Sequence, residues 1–172
     1  EENIIIKDKE VIILGAGGAS NAITYICADK GAAKIYLLNR TFDKAKKLAD
    51  DVNSHFGDIV VPLAISDYRL IPEGKYPVIQ TTSCGLYPHN DDAPIYDKEF
   101  YELVEAGVDI IFNPAKTMFM KLCKESGARA YNGLKMLLYQ GIAAFELWNN
   151  IKVPKNLADK ILGMMERKLK ES

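Results

Sequence analysis

"VIILGAGGASNA", Val11 to Ala22, sets four apolar residues against a run of glycines and small side chains, then passes without a break into a helical pattern. A short continuous apolar run suits a strand covered on both faces. The small residues after it leave main-chain N–H groups bare where a helix begins. Gly15 can make the tight turn and Gly17 lets a ligand approach the backbone. A pyrophosphate placed there would meet unpaired N–H groups and the positive end of the helix. Gly15, Ala16, Gly17, Gly18, Ala19 and Ser20 are therefore candidate ligand-binding residues, with Ser20 where a third Gly or Ala is usual. In isolation such a turn can also be a mere tight connection. Its place after the first strand of an alternating pattern favours the ligand.

That pattern runs along the whole chain. "VIIL" (11 to 14), "KIYLL" (34 to 38), "DIVVPL" (58 to 63), "YPVIQT" (76 to 81) and "VDIIF" (108 to 112) are strand candidates, with "ARAY" (128 to 131) as a sixth. Helical patterns fall at about 19 to 30, 41 to 56, 97 to 106 and 118 to 126. Parallel strands need crossover helices, and those helices cover both faces, so the alternation predicts an α/β fold: a three-layer, doubly wound parallel sheet of about six strands. The loop from Thr82 to Pro94 is the longest irregular piece, a length that in such sheets often serves function.

Composition sets the remaining limits. The chain has 172 residues, 48% hydrophobic and 26% charged, enough for one domain with one sizeable core. A net charge of −1 gives no electrostatic reason to expect nucleic acid or an anionic membrane. Cys27, Cys84 and Cys123 are widely spaced without a CxxC, and only His55 and His89 could add imidazole, so neither a disulfide framework nor a metal site is expected. No apolar run has membrane-spanning length and no signal-like segment opens the chain, which reads as cytoplasmic.

The second strand selects among nucleotides. An NAD site commonly ends this strand with a carboxylate for the ribose hydroxyls, but here stand Asn39, Arg40 and Thr41. Arg40 can stack on adenine and pair with a 2′-phosphate, while Thr41 is expected to cap the next helix and offer its hydroxyl to the same phosphate. The cluster favours NADP, the alternative being a solvated Arg40 beside a plain cap. Thr81, Thr82 and Ser83, just past the fourth strand, can approach and hydrogen-bond a cofactor ribose, or can simply form a turn. Lys116, after Pro114, is read as structural rather than catalytic.

The segment "NGLKMLLYQGIAAFELWNN" is apolar nearly all round from Leu134 to Trp148, so it is expected to be a helix covered on both sides. Gln140 shares a face with the helix start, either to reach a ligand or to be satisfied within the core. Lys155 to Lys170 reads as a final amphipathic helix. The closing helices are thus placed at 132–149 and 155–170.

"GAGGAS", "NRT", "TTSCGLYP", "DIIFNPAKTMFM" and "NGLKMLLYQGIAAFELW" together resemble the shikimate and quinate dehydrogenases in order and approximate spacing. The resemblance implies a Rossmann-type NADP-binding domain over residues 1–172 and NADPH-dependent reduction of 3-dehydroshikimate in aromatic amino-acid biosynthesis. It places Ile110 and Gly133 beside the nicotinamide, and Phe112 and Gln140 near substrate. Phe112 stands where the family usually has a tyrosine, which puts one substrate contact in doubt. The family carries its substrate-binding serines and its proton-handling lysine–aspartate pair in a preceding domain. None of these is found here, so no catalytic residue is assigned within this chain, and the isolated chain is expected to bind NADP without turnover. Its uncovered apolar surface would also let two copies associate as a homodimer. Two other readings share the first motifs: a glutamyl-tRNA reductase-like domain, which would lack the "GLKMLLYQG" helix, and a non-catalytic nucleotide-binding module.

Overall fold

The computed structural model describes residues 4–171, with side chains described as far as Leu169. Six strands, β1 (Glu10–Leu14), β2 (Lys34–Asn39), β3 (Val60–Ala64), β4 (Tyr76–Gln80), β5 (Val104–Asp109) and β6 (Arg129–Tyr131), form one sheet in the order β3-β2-β1-β4-β5-β6. Every pairing is parallel. The chain steps outward from β1 to β3, then returns to lay β4 on β1's other side. That reversal opens a crevice beyond the carboxyl ends of β1 and β4.

Alternation along the strands builds two cores. Val11 and Ile13 face the layer made by α1 (Gly18–Asp29) and α2 (Phe42–Phe56), meeting Cys27, Ala45, Leu48 and Val52. Ile12 and Leu14 face the opposite layer, where the 3-10 segment Ile65–Leu70, α3 (Lys98–Glu102) and α4 (Met118–Glu125) contribute Tyr68, Phe100, Tyr101, Phe119 and Cys123. The four apolar side chains of β1, Val11 to Leu14, are fully buried. Each contributes roughly 1.5–3 kcal/mol by leaving water, which makes β1 the centre of the molecule.

The fifth strand differs from its sequence reading. It covers Val104–Asp109 rather than 108 to 112, and the helix before it ends at Glu102. The cause is local: the Ile111 N–H donates to Asp109 Oδ1 at 2.9 Å, an Asx-type turn that ends the strand and puts Ile110 to Phe112 into a loop.

The closing helices α5 (Leu134–Asn149) and α6 (Lys155–Glu171) pack on each other. The expectation that α5 is covered on both sides does not hold within this chain. Only Leu134 and Leu138 of α5 are buried, while Leu147 and Trp148 are 80% and 81% exposed. The α6 stripe is also partly open, with Ala158 buried but Leu157 and Met164 exposed.

Candidate functional site

The glycine turn lies at the carboxyl end of β1. Gly15 takes a φ of +111°, and a Cβ there would lie 2.6 Å from Thr81 Oγ1, so the position needs glycine for both conformation and space. Gly17 and Gly18 are exposed, and a Cβ on either would meet nothing within 4 Å. Helix α1 has no side-chain cap and no acidic residue in its first turn. Its first N–H groups and the positive end of its dipole thus open onto the crevice, an arrangement that fits a pyrophosphate.

Several candidates turn inward instead. Ser20 is fully buried, and its hydroxyl donates to the Gly15 carbonyl at 2.6 Å, closing the turn rather than facing a ligand. Thr81 is buried and donates to the Leu14 carbonyl at 2.7 Å, tying β4 to β1. Ala16 is half-buried and Ala19 exposed on the turn. Thr82 and Ser83 reach the surface of the crevice, although the Thr82 hydroxyl also accepts from the Cys84 N–H at 3.2 Å.

At the end of β2, the Asn39 Nδ2 donates to the Thr41 carbonyl at 2.8 Å and shapes the turn that presents Arg40. Arg40 is exposed and has no ion pair among the described residues. Thr41 occupies the N-cap position of α2, but the expected capping bond is absent: its side chain makes none. That correction leaves the hydroxyl free for a ligand. Lys44, exposed in the same first turn of α2, was not singled out from sequence. It adds a second cation near Arg40, with the acidic Asp43 in the same turn.

At the β5 end, Ile110 is half-buried and Phe112 is 37% exposed on the loop. Gly133 has ordinary dihedrals, φ −77° and ψ 3°, yet a Cβ there would fall 1.9 Å from the Ile110 carbonyl oxygen. Glycine is therefore required by the close approach of two backbones, with the Gly133 N–H donating to the Ile111 carbonyl at 3.0 Å. Gln140, two turns into α5, is exposed and makes no hydrogen bond among the described residues, so it is not a satisfied core residue.

Sequence reasoning passed over Gln80 and Asp109, both fully buried at the ends of β4 and β5. Asp109 accepts from Thr117 Oγ1 at 2.6 Å, Ile111 N–H at 2.9 Å and Gln80 Nε2 at 3.3 Å. Burial still pushes its carboxyl up to about 6. For Gln80 the available signal was a polar residue closing the apolar strand "YPVI"; Asp109 closes a strand with no such pattern. No group of three or more histidine, cysteine or acidic side chains suited to a metal occurs among the described residues.

Comparison with known proteins bears on this geometry directly. Residues 2–67 match the model of shikimate/quinate 5-dehydrogenase, and residues 133–160 match that of the shikimate 5′-dehydrogenase C-terminal domain. The chain is 37% identical to the shikimate dehydrogenase (NADP(+)) of Carboxydothermus hydrogenoformans over 95% of its own length. The chain belongs to the shikimate and quinate dehydrogenase family. Among solved family structures, the shikimate 5-dehydrogenase of Listeria monocytogenes in complex with shikimate and NAD superposes with a TM-score of 0.80 at 28% identity, covering 91% of this chain and 56% of that one. A shikimate dehydrogenase in complex with NADP+ gives 0.76 at 32% identity, over 91% and 54%. The chain spans 58% of the length of the Carboxydothermus relative. The chain's "NGLKMLLYQG" segment lies within the second matched region from Gly133 onward, and its residues Leu134 to Gly141 open α5.

Proposed function

We propose that this chain is the NADP-binding half of a shikimate dehydrogenase, acting with a substrate domain to reduce 3-dehydroshikimate to shikimate. The observation that carries the reading is the bare Gly17–Gly18 turn standing beside an Arg40 with no ion pair among the described residues, at the ends of adjacent strands of a reversing sheet. The first would take the pyrophosphate on main-chain N–H groups. Arg40, the Thr41 hydroxyl and Lys44 would take the 2′-phosphate, which discriminates NADP from NAD. Thr82 and Ser83 are assigned to the ribose, and Ile110 with Gly133 to the walls around the nicotinamide. Gln140 and Phe112 are assigned to the substrate side.

When bound, NADPH supplies the hydride; the residues of this chain bind and orient it. The proton that must accompany hydride transfer to a ketone is assigned to the substrate domain, because the residues assigned to the nicotinamide walls, Ile110 and Gly133, carry no acid–base group. The exposed apolar face of α5 is then the surface on which that domain sits, with association of two copies of this chain as the competing use of it. The tRNA-reductase reading has no place for the α5 motif, which lies inside a shikimate dehydrogenase model. Three free thiols, two of them buried, suit a reducing compartment, and we place the protein in the cytoplasm. No helix among the described residues is long and apolar enough to cross a membrane.

Calorimetry and NADPH absorbance test the division of labour. The 172-residue chain should bind NADP yet leave NADPH unoxidised with 3-dehydroshikimate. Joining a substrate domain upstream should restore turnover, since positioned acid–base help is worth roughly two to four decades in rate. Robust turnover by the chain alone would overturn the proposal.

A further inference from the structure

Asp109 is the last residue of β5, fully buried, with no ion-pair partner among the described residues. The titratable groups packed against it are the Cys123 thiol on α4 and the Tyr101 phenol on α3, and burial raises both so that they stay neutral. Ionising Asp109 in this setting works against the fold, since its carboxyl is lifted to about 6 despite three donors. Its geometry suggests what is obtained in exchange.

The carboxylate joins three chain turns. Its Oδ1 accepts from the Ile111 N–H and from Gln80 Nε2, and its Oδ2 accepts from the Thr117 hydroxyl. Gln80 carries the tie into the next turn: Nε2 also donates to the Cys84 carbonyl at 3.1 Å, and Oε1 accepts from the Thr82 N–H. Thr117 carries it into α4, where its oxygen accepts from the Met120 N–H at 3.3 Å. Ile111 carries it into α5 through the Gly133 N–H. All three groups facing Asp109 donate, so only an acceptor at both oxygens satisfies them.

We propose that Asp109 is a positioning residue which, with Gln80 and Thr117, braces the loops after β4 and β5 and so fixes the wall on which the nicotinamide end of the cofactor rests. The inference depends on the NADP reading above. It assigns Asp109 no contact with cofactor or substrate. The side-chain bonds of the brace end on the loops after β4 and β5 and on α4, and none of them goes to a side chain of β1, β2 or α1, so its loss acts first on the Ile110–Gly133 wall; it meets the glycine turn only through the packing of Thr82 beside Gly15.

Two ligands separate the ends of the site: NADPH, and 2′-phospho-ADP-ribose, which lacks only the nicotinamide ring. Asp109→Asn turns an amide donor toward groups that already donate. It should weaken NADPH about tenfold, equivalent to roughly 1.4 kcal/mol, and shift the fluorescence of the bound dihydronicotinamide. Affinity for 2′-phospho-ADP-ribose should stay within about twofold of the wild-type chain. Thr117→Val should behave alike, and Thr117→Ser, which restores the hydroxyl, should recover the wild-type NADPH affinity and fluorescence. Equal losses for both ligands, or no loss of NADPH affinity in either Asp109→Asn or Thr117→Val, would overturn the brace. Should Asp109→Asn fail to fold, the Thr117 pair decides by the same criteria. Failure of the wild-type chain to bind 2′-phospho-ADP-ribose would instead overturn the NADP reading on which the brace rests.

Discussion

Arg40 stands exposed at the end of β2 with no ion pair among the described residues, so its charge is available to whatever anion enters the crevice. If that anion is the 2′-phosphate, Arg40→Asp places two negative groups together and should reverse the preference from NADP toward NAD. A charged hydrogen bond lost in this way is worth on the order of 1.5–3 kcal/mol, or about one to two decades in affinity. Titrating both variants with both cofactors measures it, and an unchanged affinity ratio would remove Arg40 from the site. Residues of this kind were legible in the sequence because their meaning depends on local order: a strand, a turn, a charge. Ser20 and Thr81 were not, because only the folded backbone shows that their hydroxyls are spent on Gly15 and Leu14. Gln80 and Asp109 escaped for a related reason, since the bond between them joins strands 29 residues apart in sequence and only the fold brings them together.

At the scale of the element, the alternation of strand and helix carried the sheet, and all six strands lie where apolar runs or their flanks stand. The error at β5 shows the limit of that reading. Val104 to Asp109 holds Glu105 and Gly107, a poor apolar run, whereas Ile110 to Phe112 looks like strand. Tertiary context decides: Gly107 admits the packing of Cys123 and Phe119, at 2.7 and 3.1 Å from where a Cβ would stand, and the Asp109 turn stops the ladder. The start of α5 obeys a similar constraint. Gly133→Ala would drive a methyl group into the Ile110 carbonyl, a backbone atom with no rotamer to escape by. It should cost about 3 kcal/mol, the upper part of the range for overpacking. A urea midpoint lowered accordingly is the expected result; an unchanged midpoint would mean that α5 can slide from its seat freely.

For the whole molecule, the distribution of apolar surface is the telling feature. The sheet buries both faces, yet α5 and α6 leave Met136, Leu137, Phe145, Leu147, Trp148, Leu157 and Met164 exposed. Covering the most exposed of them would contribute up to roughly 1.5–3 kcal/mol each, and an apolar patch of that kind marks a contact surface. The sequence showed that this helix needs covering on both sides; it could not show that the described residues leave one side of it open. The chain alone should therefore self-associate as concentration rises. Replacing Leu147 and Trp148 by Glu should return it to monomer in sedimentation equilibrium, with NADP affinity unchanged because neither residue is among those assigned to the cofactor. A strictly monomeric wild-type chain would show that the exposed face has no drive to associate. If joining the substrate domain abolishes association without the Glu substitutions, the two partners compete for one surface, and α5 links the cofactor site at its first residue to the domain contact at its last.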